Sequence, residues 1–563
     1  MKHIVILGAG TGGTVVANML ERALNLKEWQ ITIIDRSSEH HYQPGYLFLP
    51  MRLYGYERRS QVVRDIREKL PSNADFVQAD VRLIDHQKRE VKTDKGEYPY
   101  DFLVSSLGCH VVPEEVDGLT EAMGHDVHTF YTLDGAIAMQ EAMAGMKSGR
   151  LVVNIADSPI KCPVAPIEFC LLADYYFSQR GVREHIEITL VTPYDGAFTK
   201  PNANRVLSEI AADKGLKVVS NFSLESVDAG AHCIHSFEGD RVDYDLLCMV
   251  PPNFGPKVID DSGLGDGTGY ALTDPRTLKC RKADRIYAIG DNAAVATSKA
   301  GSAAHFEAET VVANILREID GKRPMPSYEG HVNCFVESGY HKALLLDFNY
   351  DIEPLPGDYP MPMLGPFSLL KESYINHFGK IVFDWVYWNM LLPGYLAEVP
   401  LLPSHMGFTG KDLSTHPRVQ KVRTTRVGEV MQREVFTVLQ GTALKDAADL
   451  MVKHQVSSLP VVDVDGVLIG IVTEADYLAA MNTAEEDPMG VVVHLKRGRK
   501  RCRGTTIDDL MTSKPITIGE DESVRRAVEL LDRNHIKRLI VTDDGRHVIG
   551  VLSRADLMKM LSC

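Results

Sequence analysis

Nowhere among its nine cysteines does this chain carry a C-x-x-C, and in 563 residues so few thiols make neither a zinc ribbon nor a disulfide scaffold. Basic charge is short as well. The 61 Lys and Arg against 76 Asp and Glu leave −15, which favours solubility and argues against nucleic acid as a partner. No charged segment followed by an apolar one precedes the first apolar strand, so no secretory signal is read and a cytoplasmic protein is expected. The most telling absence is a glycine motif. The apolar run Leu151–Ile155 leads through a turn into a helix, the layout that cradles a pyrophosphate, yet no G-x-G-x-x-G follows it. In LVVNIADSPIKCPVAPIE, Cys162 stands there instead, so a nicotinamide dinucleotide is not expected at this turn.

The glycine fingerprint is present once, in HIVILGAGTGGTVVANML: a buried strand, then Gly8, Gly10 and Gly13, then a helix. Such glycines permit a tight turn and close approach of backbone to a pyrophosphate at the helix N-terminus. Asp35 ends the next strand, about where an acidic residue holds an adenosine ribose. Two later strands close on small-residue turns, one at Gly108 and one at Gly290 and Asp291. Chain that returns to a first nucleotide domain after a long insertion suits FAD, and these segments together resemble the two-dinucleotide-binding-domain flavoproteins. Lys299 and Gly301 fall near the start of a helix, well placed to face an anionic flavin edge. Pro44 and Val81 complete the expected cofactor set. Where glutathione-reductase-like enzymes carry two cysteines, and coenzyme A disulfide reductases one, this chain has HHYQPGYLF, whose Pro44 and Gly45 suit a backbone passing close to the flavin.

K-C-P-x-A-P-x-E-F around Cys162, N-C-F-x-E-x-G around Cys334 and a later P-F-x-L-L-K-E-S resemble the sulfide:quinone oxidoreductase family, which includes the flavoprotein subunit of flavocytochrome c sulfide dehydrogenase. The resemblance spans roughly residues 1 to 400. It implies a redox pair at Cys162 and Cys334, a proton acceptor at Glu168, and sulfide and a membrane quinone as substrates. Cys109 matches a third cysteine of the family less well, and His110 and His305 are weak candidates for further proton transfer. Phe335, Phe367 and Tyr374 are candidate walls for an apolar quinone ring. Ile375, Phe378, Val382 and Trp385 recur at helical spacing, with Tyr387 and Trp388 nearby, while Lys371, Glu372, Lys380 and Asp384 interrupt any run long enough to span a bilayer. With the resemblance, this predicts a helix lying on the inner face of the cell membrane.

From Val427 the chain repeats itself: short helix, strand, helix, two strands about a D-G turn, helix. The two copies resemble a tandem pair of cystathionine-β-synthase (CBS) domains. In that family a G-h-h-[ST]-x-x-D element holds an adenosine, and here it reads Gly470, Thr473, Asp476 and again Gly550, Ser553, Asp556, so an adenine nucleotide is expected. HLKRGRKRCR between the copies is a solvated loop or a site for phosphate or anionic lipid.

The expected fold is α/β: a tandem Rossmann-like FAD-dependent disulfide oxidoreductase with a C-terminal amphipathic helical segment, then an α+β CBS pair. Residues 1–110 and 276–330 form the FAD-binding domain, 111–275 a second Rossmann-like domain, and 331–405 the redox, quinone and membrane segment. Linker 406–425, first CBS repeat 426–482, basic linker 483–504 and second repeat 505–563 follow. The expected function is FAD-dependent oxidation of sulfide with reduction of quinone, in a homo-oligomer with no metal. The alternatives are another flavin-dependent persulfide, thiol or NADH:quinone reductase, or a degenerate flavoprotein acting as an adenylate-sensing module.

Overall fold

The computed structural model describes residues 1–360, 365–398, 410–411, 422, 424–481, 506–534, 536–544 and 546–562. The chain divides into two compact units, Met1–Asp412 and Leu413–Cys563. The basic run 494–503, and all of the linker 406–425 except 410–411, 422 and 424–425, lie outside the described residues.

The first unit is built on two parallel sheets that share a four-strand order and differ in the edge strand. In one, the strand order is Ile286–Ala288, Phe102–Ser105, Lys2–Leu7, Trp29–Asp35, Asp75–Gln78. In the other it is Val127–His128, Leu246–Val250, Gly149–Ile155, Ile186–Val191, Lys217–Val219. Their strands read as continuous apolar runs because both faces are covered; Ile4, Val5, Ile6 and Leu7 are each at most 1 % exposed. The edge strand Ile286–Ala288 completes the first sheet only after the second has formed, so the chain leaves the first nucleotide fold and returns to it.

Beyond the helix Gly301–Ile319 comes an antiparallel hairpin, Val332–Gly339 with Lys342–Phe348. Its two turn residues, Tyr340 and His341, have φ of 54° and 60°, the left-handed pair that a tight two-residue hairpin requires. A helix follows, Tyr374–Val386, capped by the Ser373 hydroxyl, which accepts from the Asn376 amide, and continued by a wider turn over Tyr387–Leu391. Tyr374, Ile375, Phe378 and Trp385 stand exposed on it. Trp388 does not join them: it is wholly buried, with its indole N–H on Asp384 (3.0 Å) and Arg64 over its ring at 4.3 Å. Tyr387 is equally internal and bonds Thr11 (2.8 Å) and His40 (2.7 Å). The sequence pattern put both tryptophans beside one aromatic belt, whereas only Trp385 is on the outside. Among the described residues no helix is long and apolar enough to cross a membrane.

In the second unit each repeat has a strand parallel to the next and that one antiparallel to a third, followed by a helix: Ser458–Val462, Leu468–Thr473 and Glu474–Met481 in the first, Arg538–Thr542, Val548–Ser553 and Arg554–Ser562 in the second. Each core, around Leu459, Val461 and Val472 or around Leu539, Val541 and Leu552, is completed by the opening segment of the other repeat: Ile507 and Leu510 enter the first, Val427 and Met431 the second.

Candidate active site

The fingerprint glycines do different work. Gly8 has φ +89°, and a Cβ there would lie 2.2 Å from the Ser106 carbonyl oxygen; a Cβ on Gly13 would lie 1.9 Å from the carbonyl oxygen of Gly8. Both are needed for the turn to close on the helix. At Gly10 nothing lies within 4 Å, and no side chain caps the helix Thr11–Ala23, so its first N–H groups face open space. That is a cradle for a pyrophosphate. Asp35 accepts the amides of Ala9 (2.7 Å) and Ser37 (2.8 Å), which fixes the carboxylate at the strand end.

Gly290 and Asp291 lie in a single turn, with φ +66° at Gly290, whose amide donates to the buried Glu307 carboxylate. Burial pushes Glu307 up to about 8. Lys299 is buried, and its ammonium donates to the carbonyls of Asp291 (2.8 Å) and Ala293 (3.1 Å); it orders this turn. Gly108 has φ +71°, Gly301 opens its helix, Val81 opens the strand Val81–Asp85, and Pro44 enters the turn Gln43–Leu47. Gly45 has a packing reason of its own, since a Cβ there would meet Val62 at 2.5 Å. The open Gly10 turn, the anchored Asp35 and the Gly290 turn fit FAD.

In the second sheet the loop after Gly149–Ile155 carries Cys162 at φ 42°, a left-handed backbone that costs a non-glycine residue free energy. Three bonds hold it there: the Cys162 amide donates to the Lys299 carbonyl (2.8 Å), and the Cys162 carbonyl accepts from the Ala165 amide (2.9 Å) and the Tyr131 hydroxyl (3.2 Å). Cys334 comes from the hairpin strand Val332–Gly339. Both are free, half-buried thiols. Burial pushes Cys162 up to about 11, with Glu168 adding to the rise and Lys380 opposing it. Cys334 is also raised, first by burial and then by Cys162, and it too is lowered by Lys380. The fold therefore gathers Cys162, Cys334 and Glu168, and adds a lysine.

Glu168 is 1 % exposed, in the first turn of the helix Ala165–Gln179. Its Oε1 accepts from the Lys380 ammonium (2.9 Å) and the Glu337 amide (2.7 Å). Burial raises its pKa and Lys380 holds it back. Lys380 also donates to the Phe335 carbonyl (2.9 Å); burial works against its charge, but Glu168 and Cys162 outweigh this and leave it above its ordinary value. Behind it, the fully buried Glu337 takes the His377 ring on both carboxylate oxygens (2.9 Å each). Lys380, Glu337 and His377 were missed in the sequence. Lys380 was legible only as an interruption of an apolar run, and Glu337 only as the acid of N-C-F-x-E-x-G.

Other candidates fall elsewhere. Cys109 bonds Asn253 and Asp291 at 3.9 Å, and burial, then Asp291, push it up to about 12. His110 is exposed, while His305 pairs with Glu309 on its own helix at 3.2 Å. Phe335 and Phe367 meet edge to face at 5.3 Å against Gly379, where a Cβ would lie 2.6 Å from the Phe367 ring. Tyr374 is exposed at the start of its helix, its ring 5.8 Å from the Lys342 ammonium. In the CBS repeats, Thr473 and Ser553 each donate amide and hydroxyl to Asp476 and Asp556 respectively.

Two nucleotide folds, one with a glycine cradle and one with a cysteine loop, define an FAD-dependent oxidoreductase. The chain belongs to the pyridine nucleotide-disulphide oxidoreductase family, matched over residues 2–310, and carries two CBS domains, at 427–483 and 507–563. It is similar to the mitochondrial sulfide:quinone oxidoreductase of Dictyostelium discoideum, 29% identical over 404 residues, covering 70% of this chain and 86% of that one. The mitochondrial sulfide:quinone oxidoreductase of Mus musculus is 26% identical over 402 residues, covering 70% and 87%. The crystal structure of the sulfide:quinone oxidoreductase from Aquifex aeolicus shares the fold, with TM-score 0.59 at 20% identity over 70% of this chain and 93% of that one.

Proposed function

We propose that this flavoenzyme oxidises sulfide to sulfane sulfur through Cys162 and Cys334 and passes the electrons through FAD to a membrane quinone. The observation that carries this reading is the Lys380 ammonium, bonded to buried Glu168 (2.9 Å) on the helix just after Cys162 and to the Phe335 carbonyl (2.9 Å) next to Cys334. In the oxidised pair, hydrosulfide attacks one sulfur of a Cys162–Cys334 disulfide; a sulfur–sulfur bond forms to the attacker, the bond between the cysteines breaks, and the other cysteine leaves as thiolate. Bound FAD supplies a two-electron acceptor for that thiolate. Lys380 stabilises the thiolate against burial. Glu168, whose raised pKa brings it nearer neutrality, accepts the proton that the incoming sulfide or the persulfide gives up. A cleft of about 170 Å³ lined by Pro159, Ile160, Pro163, Lys200 and Lys299 opens beside the Cys162 loop.

Anaerobic reduction of the bound flavin by sulfide tests the chemistry. Cys162→Ser and Cys334→Ser should each retain FAD and lose at least about 10³-fold in rate, since a hydroxyl forms neither the disulfide nor a good leaving group. Undiminished reduction in both variants overturns the proposal.

Quinone requires access to lipid, and the exposed Tyr374, Ile375, Phe378 and Trp385 support a helix lying on the inner face of the membrane. Phe378→Ser combined with Trp385→Ser should release the protein from vesicles and slow turnover of a long-tailed quinone about tenfold, with sulfide-driven flavin reduction unchanged. The CBS pair is read as a sensor of an adenine nucleotide, through the Thr473–Asp476 and Ser553–Asp556 elements.

A further inference from the structure

The two CBS repeats follow one plan, so each position has a counterpart. Met431 packs over Gly550, its sulfur 2.4 Å from where a Cβ would stand, and Met511 packs over Gly470 at 2.5 Å. The next residue in each case pairs with the strand two positions before the hydroxyl of the nucleotide element: Gln432 with Val551, ahead of Ser553, and Thr512 with Ile471, ahead of Thr473. Here the symmetry fails. Gln432 reaches Asp556, its Nε2 donating to Oδ1 at 2.8 Å, while Ser553 holds Oδ2 through its amide (2.9 Å) and its hydroxyl. Asp556 is 7 % exposed, with both oxygens engaged. Thr512 has no side-chain amide and is too short to copy this contact. Asp476 is half-buried, with Oδ2 on the Thr473 amide (2.8 Å) and hydroxyl (2.7 Å), and among the described residues its Oδ1 has no hydrogen-bond partner.

A second asymmetry points the same way. Arg538 lies across the ladder from Ser553, yet its guanidinium is directed to the hydroxyls of Ser458 (2.7 Å) and Ser457, and Ser458 is the register partner of Thr473. A planar cation is thus fixed on the strand paired with the one that ends in the first element, beside Thr473, where it can serve a phosphate.

We propose that the two nucleotide elements are inequivalent: one adenine nucleotide binds per chain, its ribose hydroxyls on the free oxygen of Asp476, while Gln432 keeps the equivalent position at Asp556 shut. This rests on reading the pair as a nucleotide sensor. A residue that occupies a ligand's acceptor must be displaced before the ligand binds, and a glutamine already bonded to a buried carboxylate gives up that bond only for an equal one.

Calorimetry on the full chain with AMP, ADP and ATP in turn separates the outcomes. The wild type should bind one equivalent; Asp476→Asn should abolish it; Gln432→Ala should raise the number to two; and Arg538→Met should weaken binding about tenfold. Asp476→Asn keeps an oxygen for the Thr473 amide, so loss of heat with unchanged circular dichroism marks a lost site and not a lost fold. Two equivalents in the wild type, or one that survives Asp476→Asn, overturns the inequivalence while leaving the sensor reading in place. No heat from any of the three nucleotides, in the wild type or in Gln432→Ala, removes the sensor reading and this proposal with it.

Discussion

The two parallel sheets of the first unit share one four-strand order, and in both the central strand runs into a helix, but the connections differ in kind. After Lys2–Leu7 the chain needs only Gly8, Ala9 and Gly10 before the helix, and the backbone itself is the functional surface. After Gly149–Ile155 it takes residues 156–164, and a side chain is the functional surface. The difference teaches that the position, not the residues, is what the fold offers: the end of a central parallel strand, before a helix start, is where a ligand or a reacting atom is presented. Electrostatics follow the same division. Each half buries a carboxylate, but Glu168 is given a lysine in direct contact and Glu307 a backbone amide.

The strongest way to break the comparison is to remove that lysine. Lys380→Met leaves Glu168 buried without its cation and should cost about 3–5 kcal/mol of stability. The sign with pH is defined. Burial already places the folded Glu168 above its ordinary value, and without Lys380 it rises further, so stability falls as pH climbs from the unfolded toward the folded pKa. Thermal melting should show a larger deficit at pH 8 than at pH 5, and Glu168→Gln added to Lys380→Met should recover much of it. A deficit that ignores pH and the second substitution would mean the pair is ornamental.

On the glycine side, Gly13→Ala sets a Cβ against the Gly8 carbonyl and should cost roughly 2–3 kcal/mol together with the bound FAD. Gly10→Ala meets no protein atom; its melting temperature without cofactor should be unchanged, and only FAD affinity should drop, measured by release of flavin on dilution. Equal effects at both positions would erase the distinction between a packing glycine and a cradle glycine.

The smallest effect sharpens the contrast of the two carboxylates. Glu307, raised to about 8, is protonated in the folded protein over the interval above its ordinary value of 4.5 where the unfolded chain has lost the proton, so its contribution to stability declines across that interval. Glu307→Gln should gain about 1–2 kcal/mol near pH 8 and almost nothing below pH 5, read from melting curves at the two pH values.

How much of this was legible in the sequence depended on the range of the interaction. The glycine turn, Asp35 and the missing second fingerprint are local, and local spacing carries them. The amphipathic helix was legible as periodic, but periodicity says that a helix has two faces, not which of them is wet. That is why Trp388 was grouped with Trp385 although one is core and the other surface. It is also why Lys380 looked like a solvated interruption when its ammonium is turned inward to a carboxylate on another helix. Glu337 and His377 meet only because the hairpin and the helix after it pack together, and no spacing rule reaches across that fold. Gln432 was hidden for the same reason: its partner belongs to the other repeat.

The bond from the Cys162 amide to the Lys299 carbonyl has a consequence for how such a protein tolerates change. It staples the thiol loop directly to the chain just ahead of the helix that begins at Gly301, bypassing everything between. Of the residues in between, the three-stranded hairpin sheet Leu224–Asp228, Cys233–Ser236, Arg241–Asp243 takes no part in this connection, whereas Ala165, Glu168 and the strand Ile286–Ala288 do. An added residue in one of those hairpin turns leaves the staple untouched, whereas a single-residue slip beside it, at 161 or at 300, moves the reacting atom itself.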